Sequence, residues 1–174
     1  MFIIKSYIKY PKRLIKNFEI VKKDPFYYFI DLNNIEKILQ IKDDLDLDYL
    51  EGVICLSYND QIIMDFTYYD LIDQLWAYFL NMIEEFLKNK QSAMSFPDQP
   101  LPFSMTDISK YHILFSINFV KWTLPKYEFL NALLINAKDF FEKMMLLLEN
   151  DKQYYIFQLN KIKLLETKVN ALKQ

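Results

Sequence analysis

Apolar and polar residues along this chain switch between a period of two and a period near 3.6, and the switches mark its elements. Met1–Tyr10 reads as a strand that leads to Pro11. A second extended piece is expected over Phe18–Lys23. Asp31 or Asn33 is placed to cap a short helix reaching about Gln40. Val53–Tyr58 and Gln61–Phe66 are β-rich runs separated by Asn59-Asp60, the length of a two-residue hairpin turn. From Tyr69 to Lys88 the apolar residues Leu71, Ile72, Leu75, Trp76, Phe79, Leu80, Ile83, Phe86 and Leu87 recur at three and four, which predicts a helix. Asp70 and Asp73 would sit in its first turn and Lys88 and Lys90 near its end, as the helix dipole favours.

Three prolines between Gln91 and Pro102 predict a long ordered connection, because proline stops helices and interrupts sheet ladders. Two strands are expected next, Leu101–Thr106 and Lys110–Val120. In the second, Tyr111, Ile113, Phe115, Ile117 and Phe119 alternate with more polar positions. Pro125 suits the first turn of a helix running to about Glu149, with a wide stripe from Phe129 to Leu148. Asn150-Asp151 should break that helix and cap a last one through about Lys173. Tyr155, Leu159, Ile162, Leu165, Val169 and Leu172 form its apolar stripe. Strand pairs without βαβ alternation imply an antiparallel sheet built from hairpins with three main helices packed on it, an α+β fold. The 174 residues fit a single domain, 1–174. The last helix, about 152–173, is either packed on that domain or left to pair with a second copy.

Composition narrows the functional classes. Half the residues (52%) are apolar, enough for a large core, so a disordered chain is excluded. Gly52 is the only glycine, which excludes a phosphate loop, a dinucleotide fingerprint and a nucleophile elbow. Cys55 is the only cysteine, so no intrachain disulfide is available and a cytoplasmic setting is expected. The longest uncharged stretches, Gln74–Ile83 and Tyr111–Val120, are about half of the ~20 residues a membrane helix needs, so no membrane partner is expected. Net charge is only −2, yet it is segregated. Residues 1–23 carry seven Lys/Arg against one Glu, net +6. Residues 24–85 carry two Lys against fourteen Asp/Glu, net −12. The remainder carries twelve Lys against eight Asp/Glu, net +4. The acidic middle third would attract a basic partner, unless the basic termini offset it in space.

The inventory for catalysis is thin. A thiolate–imidazole pair would have to be Cys55 with His112, although a strand cysteine is more often a small buried hydrophobe. With one His and one Cys, a zinc site lacks ligands. Asp44, Asp46 and Asp48 match the first three ligand positions of a calcium loop. Tyr49 then stands where the turn wants glycine, and Cys55 where a bidentate glutamate is needed. No metal, cofactor or catalytic residue is therefore assigned. Nucleic acid is disfavoured as a partner, because Arg13 is the only arginine.

The stretch from Gly52 to Thr106 supplies a further lead. A hairpin runs into a helix carrying Trp76 and Asn81, followed by Phe96-Pro97-Asp98-Gln99-Pro100 and another strand. This arrangement resembles small cytoplasmic immunity proteins encoded beside bacterial polymorphic or contact-dependent toxins. The resemblance covers about a third of the chain. It implies non-catalytic inhibition, in which the protein binds a cognate toxin domain and covers its active site or an exosite. If the toxin is a nuclease with a basic cleft, Asp43, Asp44, Asp46, Asp48 and Glu51 are the candidate contacts, with Tyr49 and Tyr58 as aromatic anchors. The alternative is a structural or regulatory module that self-associates through its final helix.

Overall fold

The structure is a computed structural model that describes residues 1–147 and 152–173. The expected break at Asn150-Asp151, and Leu148 and Glu149 at the end of the preceding helix, lie outside the described residues. The fold is α+β, and its strands divide between two antiparallel sheets.

The first sheet is built on β1 (Phe2–Lys9) and β3 (Glu51–Tyr58), which pair along almost their whole length from Phe2↔Tyr58 to Ile8↔Gly52. β2 (Phe29–Asp31) flanks β1. On the other side of β3, β4 (Gln61–Met64) pairs with its end and β5 (Asp70–Leu71) with its start. The β3–β4 hairpin forms as predicted, and Asn59 and Asp60 both adopt positive φ, 46° and 64°. Asn and Asp tolerate that region better than other non-glycine residues.

Two expectations in the first third are corrected. Phe18–Lys23 is not extended but forms α1, capped by Asn17, whose side chain accepts from the Glu19 N–H. Only Val21 is buried, so the segment touches the core once per turn rather than at every second residue. A second short helix, α2 (Pro25–Tyr28), follows directly. The helix expected near Gln40 is α3 (Ile35–Ile41), but its cap is Asn34, which accepts from the Lys37 N–H. Asp31 ends β2 instead and holds the Asn33 N–H.

The long central helix α4 spans Ile72–Asn89. It starts three residues later than its periodicity suggests, because Asp70 and Leu71 are drawn into the sheet opposite Gly52 and Glu51. Lys90 closes it in the left-handed conformation, φ 62°.

The second sheet is a meander of β6 (Gln91–Ser95), β7 (Pro102–Asp107), β8 (His112–Ile117) and β9 (Val120–Pro125). β6 occupies part of the expected connection. Its sequence, Gln-Ser-Ala-Met-Ser, carries almost no hydrophobic signal, and pairing with β7 defines it. The expected strand over Lys110–Val120 is really β8, a two-residue turn and the start of β9. Asn118 and Phe119 take φ 46° and 67° there. Ile113, Phe115 and Ile117 are fully buried, while Phe119 at the turn is 82% exposed. Pro125 closes β9, and α5 (Lys126–Leu147) begins at the next residue.

One core joins both sheets to the helices. Trp76, Phe79 and Phe86 of α4 meet Phe103, Phe115, Phe129, Phe140 and Phe141, all with almost no solvent exposure. α6 (Lys152–Asn170) lies against α5 and α4 and buries Tyr155, Ile162, Leu165 and Val169. The apolar stripe of the last helix thus packs on its own domain. A smaller cluster of Tyr7, Val21, Tyr28, Phe29 and Val53 fills the outer face of the first sheet beneath α1 and α2. No described helix is long and apolar enough to cross a membrane.

Candidate functional site: an acidic corner

The acidic segment lies between α3 and β3. Lys42–Asp44 form a single 3-10 turn, and the chain then runs exposed to Leu50, which is buried. The antiparallel register of β1 and β3 brings the basic N-terminal strand beside the acidic stretch. Lys9, almost buried, places its ammonium 2.7 Å from Glu51 Oε2. Lys12 reaches Asp44 at 2.9 Å. Two of the five candidate carboxylates are therefore offset by the chain's own lysines. Asp43, Asp46 and Asp48 are exposed, and no lysine or arginine among the described residues forms an ion pair with them. The Asp46 carboxylate turns to accept the Asp48 N–H at 3.1 Å, which shapes the loop locally.

A second loop joins this corner through Asp70. That residue is only 3% exposed. Its Oδ1 accepts the N–H groups of Leu71 at 2.6 Å and Asp98 at 3.0 Å, and its Oδ2 accepts that of Gln99 at 2.9 Å. The Gln99 amide returns to the Tyr69 carbonyl. Burial pushes the Asp70 carboxyl above the usual carboxylate range, opposed by those three backbone bonds. The Phe96–Pro100 segment is thereby held beside the acidic stretch. Tyr49 closes the join, donating its hydroxyl to Asp98 Oδ2 at 2.6 Å. That hydrogen bond, then desolvation and the nearby carboxylates, pushes the Tyr49 phenol up to about 12. Leu47 and Tyr49 are both exposed between and beside the aspartates. Asp70 and Asp98 escaped the sequence reading. Asp70 looks like a helix N-terminal acid, and Asp98 lies 47 residues downstream of Glu51.

Tyr58 is not part of this corner. It ends β3, roughly 23 Å from Glu51 for an extended chain, and stacks on Phe2 with ring centroids 4.5 Å apart. Trp76 and Asn81, which carry part of the resemblance, serve the fold. The buried Trp76 indole donates to Ser6 Oγ at 3.0 Å, and Asn81 Oδ1 accepts from Lys161 at 2.6 Å.

Cys55 and His112 stand on different sheets, so sheet topology does not make them a pair. Burial first, then the nearby Asp65 charge, pushes the Cys55 thiol up to about 12, far from the thiolate a nucleophile needs. The Asp44 carboxylate pairs with Lys12, through both of its oxygens. Among the described residues no three His, Cys, Asp or Glu side chains are grouped to hold a metal ion.

Comparison with family models, curated proteins and solved structures gives no match for this chain. The acidic corner is defined by its exposed side chains and the buried residue beneath them. Exposed carboxylates flank the exposed Leu47 and Tyr49 side chains on a framework fixed by the buried Asp70.

Proposed function

We propose that this protein is a non-catalytic inhibitor of the immunity type, which binds a toxin domain of basic surface through the acidic corner. The observation that carries the reading is the exposure of Asp43, Asp46 and Asp48 without partners among the chain's described lysines and arginine, next to Asp44 and Glu51, which have them. Carboxylates already satisfied internally give little to a partner, whereas unpaired ones attract cations and speed encounter. Leu47 and Tyr49 supply the apolar anchors that usually hold the binding energy. The arrangement fits a nuclease-like cleft that binds phosphates. Self-association through the stripe of α6 has less support, because that stripe is spent inside the chain.

The test is association with the toxin domain encoded beside this protein's gene, followed by stopped flow across a range of salt. Reversing Asp43, Asp46 and Asp48 to lysine should slow association at low salt by about tenfold or more and flatten the salt dependence, with thermal unfolding unchanged. An unchanged rate would remove the acidic corner from the interface. Failure of any neighbouring toxin domain to bind the native chain would remove the immunity reading itself.

A further inference from the structure

A hollow of about 600 Å³ opens where the start of β8 and the end of β9 meet the first turn of α5 and the 3-10 turn Ala171–Lys173. It shares no lining residue with the acidic corner. Its size falls within the range of about 300–1,000 Å³ usual for small-ligand sites. Among the described residues, Lys110, Lys126 and Lys173 line it against a single carboxylate, Glu128. On a chain with net charge −2 this hollow is therefore locally positive.

Its cations differ in their commitments. Lys126 is buried, with its ammonium 2.5 Å from Asp107 Oδ1 and 2.5 Å from the Ser109 carbonyl. It forms a fixed, neutralised wall. Lys110 and Lys173 are exposed and lie over tyrosine rings instead, 5.5 Å from the Tyr111 centroid and 5.3 Å from that of Tyr127. Among the described residues neither forms an ion pair with a carboxylate. Tyr111 is 68% exposed, and the Tyr127 hydroxyl is fixed by donation to Asn170 Oδ1 at 3.1 Å. The first turn of α5 adds the positive end of a 22-residue helix dipole.

We propose that this hollow binds a phosphorylated aromatic ligand of the nucleoside phosphate class. The phosphate dianion draws Lys110 and Lys173 away from the two tyrosine rings, and the base stacks on the exposed Tyr111 ring that Lys110 leaves. Lysine pairs with phosphate as a point charge, and an aromatic ring stacks on any base, so the site selects the class rather than the base. Neither group alone uses both features of the hollow.

Isothermal titration of the full chain with AMP, adenosine and inorganic phosphate at low salt tests this. AMP should bind at least tenfold more tightly than either of the others. The Lys110→Glu/Lys173→Glu double variant should weaken AMP binding at least tenfold, and Tyr111→Ala should reduce AMP to the level of phosphate. Lys163→Glu, an exposed reversal on α6, should leave it unchanged. Amide shifts of Lys110, Tyr111 and Tyr127 on adding AMP to the native chain check the location without any variant. Absence of AMP binding, equal affinity for AMP and phosphate, or an equal loss with Lys163→Glu would overturn the proposal.

Discussion

Gly52 shows how much one residue can decide. Its role is proximity rather than an unusual φ. A Cβ at this position would collide with the Tyr7 carbonyl oxygen on β1 and come within 2.8 Å of Ile72 Cγ2 at the start of α4. The absent side chain lets β1, β3 and the entry to α4 converge at one point, the point from which the acidic corner is built. Gly52→Ala should cost about 3 kcal/mol, the upper part of the range for overpacking, because a backbone atom cannot swing aside as a side chain can. Denaturant unfolding measures it, and a change below about 0.5 kcal/mol would show that the strands separate without strain. Asp70 acts at the same scale, since one buried carboxylate holds three backbone N–H groups from two distant segments.

Between elements, the docking of α6 rests on a polar clasp as well as on its stripe. Lys161 places its ammonium 2.7 Å from Glu84 Oε2 and 2.6 Å from Asn81 Oδ1, both on α4, while Lys88 holds the other Glu84 oxygen at 3.0 Å. The hydrogen bonds to Lys161 and then Lys88 pull the Glu84 carboxyl down from 4.5 to about 2. A carboxyl whose folded value is depressed binds fewer protons folded than unfolded. Its contribution is therefore full above pH 4.5 and is lost as pH falls through about 2. Glu84 is partly exposed, so solvent screening holds the effect to about 1 kcal/mol. Glu84→Gln should lower stability by that amount at pH 7, and the difference should fade as pH drops below about 2. It should also speed amide exchange in α6 more than in α4. Identical exchange in the two helices would mean that packing alone fixes α6.

For the whole molecule, charge that is segregated along the chain is partly reunited in space. The N-terminal lysines face the acidic stretch because β1 pairs antiparallel with β3, and Asp43, Asp46 and Asp48 are left exposed. The core is equally shared, since Phe141 and Met144 of α5 are buried in the same cluster as Tyr155 and Ile162 of α6. Removing residues 150–174 should therefore expose α5, giving dye-binding, non-cooperative unfolding rather than a well-folded monomer. A truncated chain that melts sharply and stays monomeric would show that α6 is an appendage.

How far the sequence could be read follows from the range of each interaction. The β3–β4 hairpin, α4, α5 and α6 were legible because their apolar periods are long and local, and with them the α+β class. α1 looked extended because its six residues hold too few turns to show a period. β6 was hidden because Gln91–Ser95 becomes a strand only by pairing with β7. Asp43, Asp46 and Asp48 were legible as an acidic run, but nothing local marks Asp44 and Glu51 as paired, since Lys12 and Lys9 lie 32 and 42 residues away. The amino-acid order alone determined the elements with strong local period, the large core and the absence of glycine-rich and cysteine-rich chemistry. Tertiary structure alone decided which charges cancel, how Asp70 joins two loops, and where Lys110 and Lys173 meet two tyrosines. Those outcomes depend on strand register and helix docking, which are set by the burial of the whole apolar surface at once.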